Sequence, residues 1–154
     1  MAIYFVDTSA LVKRYINEIG SAWVLDLFNP ALKHEIFIAA VTGVEIVAAI
    51  TRRSRGGSIS TSDAATICSQ LKTDLQADYQ IIEITERVIS SGMALSETHG
   101  LRGYDAIQLA AGGAVNQACI ANNLPPTNFV SADYELNLAA SSEGLMIENP
   151  NNQP

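Results

Sequence analysis

Four acidic residues occupy one kind of position in this chain. Asp7 and Asp133 each follow a short apolar run, Ile3-Tyr4-Phe5-Val6 and Asn128-Phe129-Val130-Ser131-Ala132. Glu45 and Asp105 each fall in the first turn of a segment with helical character, Thr42 to Ile50 and Leu101 to Ala118. A carboxylate at the end of a buried strand needs a cation or several donors, because an unpaired one would be neutralised. Clustered carboxylates suit a hard divalent cation, Mg²⁺ or Mn²⁺. His34 and His99 lie outside these motifs, which argues against zinc. Each acid also has a local explanation. Thr42-x-x-Glu45 reads as a capping box, Asp105 can complement a helix dipole, and Asp133 can cap the helix after it. One shared metal site accounts for all four, and an ion bound there should stabilise the fold.

The elements that must position these acids can be read in order. Ile3–Val6 is an apolar run short enough for a buried central strand, turning through Asp7-Thr8-Ser9 into a helix from Ala10 to Tyr15. Ser21 reads as an N-cap, and Trp23, Val24, Leu27 and Phe28 mark one face of a short helix that Asn29-Pro30 ends. Glu35–Ala40 reads as a second strand and Gln80–Ile84 as a third. Between them, Ser60 to Tyr79 gives the longest helical pattern. Its apolar face is Ala64, Cys68, Leu71 and Leu75, with Lys72, Asp74 and Asp78 facing elsewhere. Thr85-Glu86 opens a helix carrying Val88, Ile89, Met93 and Leu95. The helix after Leu101 has a face of small residues, Ala106, Ala110, Ala111, Ala114 and Ala118, suited to close approach to a sheet. Residues 128–132 form a fourth strand, 134–140 a short helix, and 145–147 a last strand. Strands alternating with helices predict a three-layer α/β/α sandwich with a mostly parallel sheet of four or five strands. In such a sheet, strand carboxyl ends and the following helix N-termini share one edge, where ligands bind.

Composition sets the outer bounds. A chain of 154 residues with 48% hydrophobic content is read as one domain over residues 1–148, with a loose polar tail at 149–154. No apolar run reaches bilayer length, and the N-terminus lacks the pattern of a signal peptide, so a cytoplasmic protein with no membrane partner is expected. Cys68 and Cys119 are read as reduced, buried thiols. The net charge of −7 first argues against nucleic acid. Setting the four clustered acids aside leaves 12 acids against 9 bases. Bound cations would cancel the site's own charge, so an RNA substrate stays open, with weak long-range steering.

Four stretches taken together resemble the PIN-domain family, and within it the VapC toxins of toxin–antitoxin pairs. They are Val6-Asp7-Thr8-Ser9-Ala10-Leu11-Val12-Lys13, Val44-Glu45, Leu101-Arg102-Gly103-Tyr104-Asp105-Ala106-Ile107-Gln108-Leu109-Ala110, and Val130-Ser131-Ala132-Asp133. The resemblance implies a Mg²⁺- or Mn²⁺-dependent endoribonuclease, usually a homodimer, held inactive by a cognate antitoxin. It implies Asp7, Glu45, Asp105 and Asp133 as the catalytic, metal-holding acids, with Ser9 and Ser131 as supporting hydroxyls. Ser131 stands where the family often has threonine. Gln108 stands where histidine is common, and the sequence assigns it no chemistry. Lys13, Arg14 and Arg102 are candidate RNA-phosphate contacts, with Arg52, Arg53 and Arg55 behind them. The rival readings are a metal-dependent phosphatase and a catalytically silent PIN-like interaction module. A phosphatase of the haloacid-dehalogenase type would want an acid at position 9, where this chain has Ser9.

Overall fold

The computed structural model describes residues 1–153; Pro154, the end of the expected tail, lies outside them. Five strands form one all-parallel sheet: β1 (Ile3–Val6), β2 (Glu35–Ala39), β3 (Gln80–Ile82), β4 (Asn128–Val130) and β5 (Met146–Glu148). Their spatial order is β3-β2-β1-β4-β5, so β1 is central, as its apolar run predicts. Phe5 pairs with Phe37 of β2 on one side and with Phe129 of β4 on the other. Successive connections from β1 run first toward β2 and later toward β4, which makes the β1/β4 boundary the topological switch point where open parallel sheets bind ligands.

Seven helices cover both faces: α1 (Thr8–Tyr15), α2 (Ser21–Asp26), α3 (Val41–Arg55), α4 (Thr61–Ala77), α5 (Glu86–His99), α6 (Gly103–Ala121) and α7 (Tyr134–Ser142). Period-two alternation divides the strand side chains between two cores. Ile3, Phe5, Ala39 and Phe129 pack with Leu109, Val115 and Cys119 of α6 and Leu136 and Ala140 of α7. Val6, Ile36, Ile38 and Val130 pack with Leu11 of α1, Ile46 and Ile50 of α3 and Leu71 of α4. The α/β/α sandwich is therefore as expected. Helix α6 does approach the sheet closely, but through Gly112, where an added Cβ would stand 2.7 Å from the Phe129 ring. Ala114 and Ala118 of the anticipated small-residue face are exposed.

Several local readings change. Gly20, at φ +86, begins α2, while Ser21 is buried and donates to the Ile16 carbonyl. Ile89 and Met93 face outward, leaving Val88 and Leu95 as the inward residues of α5. Where a loose tail was expected, Pro150–Asn152 makes a 3-10 turn with Pro150 buried against Gly20. Both cysteines are free, Cys119 buried and Cys68 half-buried. Among the described residues no helix is long and apolar enough to cross a membrane.

Asp74 also turns inward. It is 4% exposed and accepts from the Tyr15 hydroxyl at 2.8 Å and from Gln70 Nε2 at 2.8 Å. Because the Tyr15 hydroxyl donates to Asp74, the 2.6 Å contact between Tyr15 and Tyr79 is donated by Tyr79, which accepts from Arg14 at 2.7 Å. This relay ties the far end of α1 to the end of α4. Burial raises the Tyr79 phenol to about 12 and pushes Tyr15 up further. Raised folded values mean the fold favours neutral phenols. Their contribution is complete below the unfolded value of about 10 and is lost as pH rises through 12. Stability in urea should therefore fall between about pH 10 and 12, and Tyr15→Phe should flatten that fall while lowering neutral-pH stability by about 1–2 kcal/mol. An unchanged alkaline profile in Tyr15→Phe would contradict the relay.

Candidate active site

Helix α1 begins where β1 ends, so Asp7 is at once the last residue past the strand and the N-cap of the helix. Its amide extends the ladder to the Val130 carbonyl at 3.0 Å. Its carboxylate accepts from the Ala10 amide at 3.3 Å and the Ser9 hydroxyl at 2.7 Å. Only 3% of Asp7 is exposed. Burial pushes its carboxyl up to about 7, against the opposing pull of Ser9, Ala10 and Ser131, and Asp105 adds to the rise. No cationic side chain bonds to it among the described residues.

A second set of bonds crosses the switch point. Ser9 Oγ lies 3.3 Å from Ser131 Oγ and accepts from the Ala132 amide at 2.9 Å. Ser131 Oγ in turn accepts from the Asp133 amide at 3.1 Å. Asp133 is the N-cap of α7, its Oδ1 accepting from Leu136 at 3.0 Å. The Ser9–Ser131 pair therefore sets the β1 and β4 turns relative to each other. Asn137 Nδ2 fixes the same turn by donating to the Ser131 carbonyl at 2.8 Å.

Glu45 does not close the capping box. Helix α3 starts earlier, with Ala40 as N-cap and no side-chain cap bond. Thr42 is fully buried, and Glu45 instead reaches across to α1, where Oε1 accepts from Thr8 Oγ1 at 2.8 Å and from Gln108 Nε2 at 2.9 Å. Asp105 sits in the first turn of α6, with Arg102 3.6 Å away. Its carboxyl is raised by burial first, then by Asp133, with further contributions from Glu45 and Glu135, while Arg102 lowers it. Asp7 thus feels Asp105, and Asp105 feels Asp133 and Glu45, at the same sheet edge.

That edge is an electrostatic cluster, not a closed cage. Among the described residues, no group of three His, Cys, Asp or Glu side chains is placed to hold one ion. The donor set still fits Mg²⁺ or Mn²⁺. All four groups offer carboxylate oxygens, and Mg²⁺ usually binds through one or two carboxylates with water and substrate phosphate completing its shell. Asp7 and Asp105, raised by burial and by each other's neighbours, are the groups whose charge such an ion would most relieve.

The cationic residues divide. Arg102 is 86% exposed beside Asp105. Lys13 and Arg14 lie at the opposite end of α1, which returns along the sheet away from Asp7. Lys13 is buried and bonds Glu18 at 3.2 Å. Arg14 bonds Asp78 at 2.6 Å and stacks 3.9 Å from the Phe28 ring centre. Both side chains are engaged with acidic residues of the chain itself. Thr8, Thr42, Gln108 and Asn137 were not read as site residues. A polar Gln108 within the apolar run Ala106–Ala111 was the available signal.

A model of the PIN domain matches residues 4–124. The chain belongs to the PIN-domain family. No curated protein matches its sequence. Among solved structures, this PIN domain is similar to FitAcB from Neisseria gonorrhoeae, at 15% identity and TM-score 0.63, covering 96% of this chain and 97% of that one. PAE2754 from Pyrobaculum aerophilum gives 19% identity and TM-score 0.62, covering 95% and 89%. VapBC2 from Rickettsia felis, solved bound to a promoter DNA fragment, gives 17% identity and TM-score 0.57, covering 96% and 98%. At these identities the likeness shows the fold alone.

Because Asp7 is raised above the unfolded value of about 3.9, the fold favours its neutral form, and ionising it costs stability as pH rises through about 7. In EDTA at pH 8, Asp7→Asn should melt several °C above wild type, and Mn²⁺ should raise the wild-type midpoint while leaving the variant unmoved. A wild-type midpoint indifferent to Mn²⁺ would count against the site.

Proposed function

We propose that this PIN domain is a Mg²⁺- or Mn²⁺-dependent endoribonuclease and the toxin of a toxin–antitoxin pair. The observation that carries the reading is the buried Asp7 carboxylate at the β1/β4 switch point, coupled to Asp105 and without a cationic partner. Bound there, a divalent cation would supply charge neutralisation and polarise a phosphodiester oxygen. Asp7 and Asp105 would hold it.

The remaining roles belong to the chain's own groups. Asp133 uses Oδ1 to cap α7, and Glu45 uses Oε1 for Thr8 and Gln108, so each has a second oxygen free of those bonds. These oxygens can orient the attacking water and accept its proton. The water oxygen forms a bond to phosphorus as the bond to the 3′-oxygen breaks. That oxygen leaves with a proton, giving 5′-phosphate and 3′-hydroxyl ends. Ser9 and Ser131 keep Asp7 and Asp133 in register. Arg102 is the exposed cation available to a flanking phosphate.

Support for a protein partner comes from an open groove beside the acids, lined by Val44, Ile89, Met93 and Tyr104 as well as Glu45 and Asp105. These four apolar or aromatic side chains are exposed, and contiguous exposed apolar surface marks interaction sites. A fold neighbour from Klebsiella pneumoniae, 16% identical with TM-score 0.55, is a toxin–antitoxin complex. A cognate antitoxin and a second copy of the chain, in the cytoplasm, are the partners we assign.

The test is incubation of purified protein with end-labelled RNA and Mn²⁺, followed by EDTA. Strand cleavage should require Mn²⁺, stop with EDTA and leave 5′-phosphates. Asp7→Asn should lower the rate by roughly a hundredfold or more. Intact RNA under all conditions would leave the silent interaction module as the correct reading.

A further inference from the structure

We propose that Gln108 is the positioning residue that turns the Glu45 carboxylate toward the water of a cation held by Asp7 and Asp105, an inference that rests on the metal-dependent reading above. Gln108 lies one turn along α6 from Asp105 and is 1% exposed. Apart from Cys119, it is the only polar side chain on the buried face of α6. Its neighbours on that face are alanine, leucine, glycine and valine, any of which would suit the core better.

The amide holds three elements together. Nε2 lies 2.9 Å from Thr42 Oγ1, 2.9 Å from Glu45 Oε1 and 3.1 Å from Thr8 Oγ1. An amide carries two N–H donors, so these three acceptors share them. The Thr8 hydroxyl donates its own proton to Glu45, which leaves its oxygen free to accept. Glu45 Oε1 therefore receives two converging donors, one from α1 and one from α6. The carboxylate cannot rotate without breaking both, and Oε2 is the oxygen left for the groove it shares with Asp105.

The other end of the amide shows that this arrangement is not optimal for folding. Gln108 Oε1 is buried with no hydrogen-bond partner among the described residues. Rotating the amide would give it the Thr42 hydroxyl as a donor but would turn a carbonyl oxygen toward the Glu45 carboxylate. A buried carbonyl without a partner is a cost to folding, borne here by a side chain whose amide nitrogen meets three acceptors. Local rules broken without a folding gain are characteristic of functional positions. Groups that orient ligands without touching the ion commonly change affinity or activity by about 10- to 100-fold when removed.

The test uses Gln108→Met, which keeps the volume and removes the amide, with Gln108→Leu as a second variant. Mn²⁺ binding to each purified protein is measured by calorimetry, melting in EDTA by fluorescence, and RNA cleavage as separate kcat and KM. The expected result is a melting temperature equal to or above wild type, Mn²⁺ affinity weakened about tenfold, and kcat lowered with KM for RNA unchanged. In a Glu45→Gln background, Gln108→Met should cause no further loss of Mn²⁺ affinity. Unchanged Mn²⁺ affinity in both variants would overturn the proposal, as would an equal further loss in the Glu45→Gln background. Wild-type protein that binds Mn²⁺ but leaves RNA intact would refute the ribonuclease reading while the affinity ratio still decides the role of Gln108. Wild-type protein that takes up no Mn²⁺ would overturn both.

Discussion

A carboxylate buried at the carboxyl edge of a parallel sheet, with no cation bonded to it, is the constraint around which this molecule is arranged. Asp7 is held by Ser9, the Ala10 amide and the turn containing Ser131, and those donors do not offset its desolvation. The surroundings make sense as a cradle that keeps the group in place at a stability cost. The position follows from topology. β1 is central, β4 joins it on the side opposite β2, and the crevice opens where the two directions of the sheet diverge. Asp133 reaches the same crevice because β4 ends beside β1, and Asp105 and Glu45 arrive from helix N-termini that share that edge.

The fold was largely legible because its signals are short and strong. Ile3–Val6 and Asn128–Val130 are largely apolar, are followed by Asp7 and Asp133, and pair with each other. The long pattern from Ser60 onward became α4, with Ser60 as its cap. Boundaries shifted where tertiary contacts outweighed local chemistry. Thr42-x-x-Glu45 has the spacing of a capping box, yet α3 begins at Val41 and both side chains serve Gln108. Asp74 looked like a surface acid, but Tyr15, which only the folded chain brings near, and Gln70, one turn earlier on α4, give it donors.

The acidic residues of the site were visible as a recurring position, and their supports were not. A glutamine inside an apolar helix carries no signature of its own, because its importance lies in three acceptors drawn from two other helices. Lys13 and Arg14 show the converse. They are basic residues expected to meet phosphate, but helix α1 carries them away from Asp7 at about 1.5 Å per residue, to its other end. There they bond Glu18 and Asp78.

As folded, the acids form a cluster of overlapping charge and not a completed coordination sphere. That is the arrangement expected of a site finished by water and a substrate phosphate. The most direct measurement is anomalous diffraction at the manganese edge from crystals grown with Mn²⁺. The account predicts a peak at the β1/β4 edge contacting oxygens of Asp7 and Asp105. Mn²⁺ bound elsewhere on the surface, with that edge empty at saturating concentration, would contradict it.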